Sequence, residues 1–83
     1  KQLIGKATHY YTSSGISEFT LSENINKGDV LMIIGPTTGE QKVSDYKMVV
    51  NNDFSETAKP GDKITIKLPF RTRLSDKLYK IIK

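Results

Sequence analysis

Eighty-three residues with a net charge of +4 and no cysteine leave room for one hydrophobic core and no covalent means of stapling it. Disulfides and cysteine-rich zinc sites are excluded. No apolar run approaches the ~20 residues that a membrane helix needs, so no membrane partner is expected, and the missing cysteines favour a reducing compartment such as the cytoplasm.

Strand formers dominate the chain between turn signals, and no window carries an apolar period of 3.6 over three turns. The first predicted strand runs from Leu3 to Tyr11 and ends at the small polar turn Thr12-Ser13-Ser14-Gly15. Its strand-like start, without an initiator methionine, is what a piece of a longer protein would show. The second strand covers Ile16 to Leu21. Asn24 to Asp29 then turns, with Gly28 or an asparagine free to take a positive φ and Ile25 expected to plug the core. Val30 to Ile34 is apolar at every position, as in a strand covered on both faces or lying at the centre of the barrel wall. Gly35-Pro36-Thr37-Thr38-Gly39 breaks it, and Gln41 to Val50 reads as the next strand.

After the turn cluster Asn51-Asn52-Asp53, Phe54 and Ala58 read as inward residues on an irregular return path. Ile64, Ile66 and Leu68 alternate with Lys63, Thr65 and Lys67, which predicts a strand with one dry and one basic face. Pro69 stops it, and Leu78 to Ile82 forms a last strand. Closing such a sheet on itself removes exposed edges, so the pattern predicts an all-β fold, a closed or nearly closed antiparallel barrel of about six strands spanning residues 1–83 as one domain.

Three segments echo one another: Lys27-Gly28-Asp29-Val30, Pro60-Gly61-Asp62-Lys63 and Leu74-Ser75-Asp76-Lys77 each put an aspartate just before a strand. These carboxylates are expected to accept backbone N–H groups and hold the reversals, a structural role. Gly35 and Gly39 lack the Gly-Lys-Ser/Thr ending of a phosphate loop. Ser44 and Lys47 have Ser-x-x-Lys spacing, but in a strand they would face opposite ways, and Tyr79 with Lys83 likewise ends a strand. His9, the one histidine, has no cysteine partners, so no metal is expected; beside Tyr10 and Tyr11 it reads as a partly buried strand residue or a surface stacker. No catalytic residue and no cofactor is expected.

Charge is uneven. Residues 59–83 hold eight of the thirteen basic side chains against Asp62 and Asp76, a net of +6, while residues 1–58 carry −2. Lys63, Lys67, Arg71, Arg73, Lys77 and Lys80, with Tyr10, Tyr11 and Tyr79 available to stack, are therefore the candidate contacts for RNA or another substrate, set against the plain reading of a solvated lysine-rich face.

Taken in order, Ile4-Gly5-Lys6-Ala7-Thr8-His9-Tyr10-Tyr11, Asn26-Lys27-Gly28-Asp29, Ile34-Gly35-Pro36, Ala58-Lys59-Pro60-Gly61-Asp62, Leu68-Pro69-Phe70 and Asp76-Lys77-Leu78-Tyr79 span nearly the whole chain. The set resembles the C-terminal domain of the collagenase-like peptidases of family U32, and small translation elongation factor-like proteins; both are similar to the second domain of elongation factor Tu. The resemblance implies a β-barrel beside an N-terminal catalytic domain, which would be its partner, with a peptide or a tRNA as the substrate handled. It carries no catalytic residue over to this chain. An accessory, substrate-positioning or lid domain of a peptidase or a related tRNA-modifying enzyme is the expectation; an independent RNA-binding module is the alternative, and a self-sufficient catalyst is disfavoured for want of a nucleophile set or acid–base pair.

Overall fold

The computed structural model describes residues 1–82. Eight strands run in chain order: β1 (Gln2–Tyr11), β2 (Ile16–Leu21), β3 (Leu31–Gly35), β4 (Gly39–Val43), β5 (Met48–Val50), β6 (Asp53–Ser55), β7 (Lys63–Lys67) and β8 (Lys77–Lys80), with no helix among the described residues. All neighbours are antiparallel, and their order across the sheet is β4-β3-β8-β1-β2-β7-β5-β6. The last strand is thus inserted between β3 and β1 and joins the β3–β4 hairpin to the rest of the sheet.

Eight strands stand where about six were expected, because Gln41–Val50 is not continuous. Ser44 to Lys47 leaves the ladder, with Asp45 at φ 52°, and Phe54 lies on the short strand β6. Asn51 and Asn52 both take positive φ, 52° and 69°, as the two-residue turn of a right-twisted hairpin requires.

The ladder is not closed: among the described residues no pairing joins β4 to β6. A flat sheet of eight strands would measure about 34 Å across at the usual strand spacing of about 4.8 Å. The molecule's longest extent is 28 Å, with 26 and 22 Å along the other axes, so the sheet is curled around its core. Loops cover the remaining seam. Ile25 and Ala58 exchange backbone hydrogen bonds of 3.0 Å in an isolated bridge, and the Tyr46 hydroxyl donates to the Asp29 carbonyl at 2.8 Å, while the Ile81 amide, donating to the Val30 carbonyl at 2.9 Å, continues the β3–β8 pairing. The two free edges are blunted by charge on β4, where Glu40 and Lys42 are exposed, and by the three-residue length of β6.

Ile4, Phe19, Ile25, Leu31, Ile33, Met48, Ile64, Ile66 and Leu78 lie at the centre of one core cluster. Ile25 and Ala58 point into it as expected, but Phe54 is 77% exposed: opposite Val49 on the edge strand, it stands on the outer face. Only alternate residues of β3, Leu31 and Ile33, are fully buried, so Met32 and Ile34 line a partly open outer face; of the two arrangements expected for this strand, cover on both faces is not the one found. The final strand ends at Lys80 and does not reach Ile82.

Candidate functional site

The three aspartate turns share one geometry. In each, the aspartate is the fourth residue: its amide donates to the carbonyl of the first residue (Asn26, Lys59, Arg73) at 3.0, 3.1 and 3.0 Å, and its carboxylate accepts the amide of that same residue at 2.8, 2.9 and 3.0 Å. The third residue has positive φ in all three: Gly28 at 83°, Gly61 at 89° and Ser75 at 70°, as a type II turn demands. Asp29, Asp62 and Asp76 are therefore engaged in holding the chain. Asp76, 2% exposed, also accepts the Thr38 hydroxyl, and its carboxylate lies so close over Gly35 that any Cβ there would overlap it.

The candidate contacts fall into separate places. A β-bulge at Thr8 shifts the phase of β1, so that His9 and Tyr11 turn outward and meet edge-on with ring centroids 4.3 Å apart. His9 is thus exposed, a surface stacker. Tyr11 stands in register with Ile16, and Ile16 with Lys67. Tyr10 is half-buried on the other side of β1, with the Arg71 guanidinium 5.3 Å from its ring centre. Arg73 is exposed on the third aspartate turn.

Lys63 and Lys67 share the outer face of β7, about 13 Å apart by strand rise. Register carries Lys63 across Thr20 to Lys6, and Lys6 to Lys77, so three exposed lysines lie in one row across four strands, about 14 Å from end to end. Lys6 was missed in the sequence because its charge lies in the otherwise acidic first part of the chain; the alternation of β1 carries the signal. Glu18 interrupts the face, held by the Thr8 hydroxyl at 2.8 Å.

Lys80 does not belong to this face. It points inward at 8% exposure, donates from Nζ to the Asn24 carbonyl at 3.1 Å and pairs with Asp29 at 3.8 Å, so it ties the seam loop down and is not free to meet a ligand. Tyr79, half-buried and outward, has the Lys1 ammonium 5.4 Å from its ring centre. Ser44 and Lys47 sit in the loop before β5, so the opposed-face argument made for a strand does not apply; Lys83 lies outside the described residues.

Buried titratable groups are thus committed to structure. Tyr46 is pushed up to about 12, chiefly by burial of its phenol and then by the nearby Asp29 charge. Among the described residues no three His, Cys, Asp or Glu side chains gather as a metal site. A groove of about 990 Å³ lies between the first aspartate turn, the Ser44–Met48 loop and β6, with Tyr46, Val30 and Phe54 in its walls. Among the described residues no helix is long and apolar enough to cross a membrane.

No protein-family model matches the chain. Among curated proteins, a collagenase of Porphyromonas gingivalis is 36% identical over the whole chain, and the uncharacterized protease MJ0090 of Methanocaldococcus jannaschii is 32% identical over 92% of it. The chain spans only 23% and 19% of those two proteins' lengths. Among solved structures, the C-terminal domain of a putative U32 peptidase from Geobacillus thermoleovorans superposes with a TM-score of 0.84 at 16% identity, covering 98% of this chain and 93% of that one. Relatedness along the full chain to collagenase and protease sequences places the chain in the collagenase-like U32 peptidase family, with the fold of that family's solved C-terminal domain.

Proposed function

We propose that the chain is a non-catalytic accessory domain that positions substrate beside, or closes over, the catalytic part of a U32 peptidase or a related tRNA-modifying enzyme. One observation carries the reading: the similarity covers all of this chain but less than a quarter of its collagenase relative, leaving most of that protein to house the chemistry. The commitment of Asp29, Asp62, Asp76 and Lys80 to turns and seams supports it, since a general acid or base needs a titratable group free to exchange a proton with substrate. The 83-residue chain, purified and incubated with gelatin and with a panel of fluorogenic peptides, is expected to leave them intact; turnover by the chain itself would overturn the reading.

A second reading, an RNA-binding module akin to the elongation-factor barrel, is favoured by the Lys6–Lys63–Lys77 row and by the Arg71–Tyr10 pair. With about four phosphates engaged on a single strand, log affinity falls with log salt at a slope near −3. A tRNA titration with no binding at low salt removes this reading and leaves the first intact.

A further inference from the structure

Register places an apolar strip on the outside of the sheet. Leu3 of β1 stands opposite Tyr79 of β8, and Tyr79 opposite Met32 of β3; Ile34 follows two residues on from Met32 on the same face. Leu3 is 48% exposed and the other three are half-buried, with the Lys1 ammonium over the Tyr79 ring. The outer face of a small curled sheet is ordinarily polar, so a continuous strip of this kind marks a surface that another body covers. Lys1, Lys6 and Lys77 border it: Lys77 pairs with Ile34 on one side and Lys6 on the other.

The position of the strip says which body. In the relatives, this domain accounts for about a fifth of the length, and in the solved U32 structure it is the C-terminal domain, so the rest of such a protein precedes it and the chain enters at the start of β1. Leu3 is the second residue of that strand. A preceding domain is therefore tethered within a few residues of the strip, at an effective concentration of order millimolar, where a small apolar contact suffices to hold the two together. Phe54, the most exposed large apolar residue of the sheet, stands four ladder steps from β1.

We propose that the outer face of β8, β1 and β3, built on Leu3, Met32, Ile34 and Tyr79, is the surface that docks on the preceding domain, through an apolar centre and an acidic rim on the partner that meets Lys1, Lys6 and Lys77. The inference rests on the accessory-domain reading and adds the face to it.

The test uses the full-length protein that carries these residues. Cleavage at the interdomain junction by a low dose of trypsin, with the radius of gyration from small-angle scattering, is compared for the wild type, Met32→Lys and Phe54→Ser. Met32→Lys is expected to speed junction cleavage about tenfold and to enlarge the particle, a loss of roughly 1.4 kcal/mol of docking. Phe54→Ser is expected to change neither. Docked domains untouched by Met32→Lys, or opened by Phe54→Ser, overturn the face while leaving the accessory reading standing. A gene that joins these residues to no larger domain overturns both. In the 83-residue chain the melting temperature of Met32→Lys is expected to stay close to wild type; should it fall sharply, Leu3→Lys, at a more exposed position of the same strip, takes its place in the full-length comparison. Dimerisation of the 83-residue chain through this strip, with full-length docking unaffected, would assign it to a second copy and overturn the proposal.

Discussion

Ser75 holds the positive-φ position that glycine fills in the other two aspartate turns. A left-handed residue with a Cβ costs about 1–2 kcal/mol, and glycine's extra freedom in the unfolded chain gives back about 0.5–1. Ser75→Gly is therefore expected to stabilise the fold by about 0.5 kcal/mol, and Gly61→Ala to destabilise it by about 1 kcal/mol, both read by urea unfolding. Gly35→Ala is the harsher change. Its methyl group displaces the Asp76 carboxylate from Thr38 and the Arg73 amide, a loss of about 3 kcal/mol for a buried charge stripped of its donors. Tyr46 gives an alkaline signature. Between pH 10 and 12 the unfolded phenol ionises while the folded one keeps its proton, so stability present below pH 10 is lost as pH rises through that window. Tyr46→Phe forfeits the hydrogen bond to Asp29, about 1 kcal/mol at neutral pH, but should show a shallower fall above pH 10 than the wild type. At this scale the sequence was legible where the signal was local. The aspartate echo is written in four consecutive residues, whereas the Thr38–Asp76–Gly35 contact joins positions 38 residues apart and leaves no local mark. The outward turn of His9 follows from a bulge at Thr8 that residue type does not announce.

Strands with a clean two-residue period, β2 and β7, lie where their alternation puts them, because one face of each meets the core and the other meets water. The stretch Gln41–Val50 misleads for a physical reason. Its residues all suit a strand, and the break at Ser44 to Lys47 contains neither glycine nor proline; it is fixed by Tyr46 reaching over to the Asp29 carbonyl, a contact between distant segments. Phe54 misleads in the same way, since hydrophobicity argues for burial while a three-residue edge strand leaves it no wall to enter. Substitution separates the two apolar residues of this region. Phe54→Ser is expected to change unfolding free energy by less than about 0.5 kcal/mol, while Ile25→Ala, emptying a site with 0% exposure, should cost about 2–5 kcal/mol. Equal losses at the two positions in denaturant titrations would contradict the placement of Phe54 on the outer face.

Considered whole, the molecule is an open eight-stranded sheet curled around one apolar core, its seam sealed by the Asn24–Asp29 turn, Tyr46 and Lys80 in place of a last ladder. Phe19, Ile33, Met48 and Ile66 fill the interior, and the polar groups that reach inward are spent on one another, as Thr72 on Ser17, or on the backbone, as Lys80 on the Asn24 carbonyl. Its outside carries an apolar strip near the start of β1, a row of lysines beside it and a groove at the far edge. The most direct measurement is steady-state hydrolysis of a peptide substrate by the full-length protein, with and without these 83 residues. Removal of an accessory positioning domain should raise KM strongly while kcat for a short, unstructured peptide stays within a few-fold of the intact enzyme. A collapse of kcat on that short peptide, with the remaining protein still folded and KM unchanged, would mean that this domain supplies part of the chemistry, and would contradict the account.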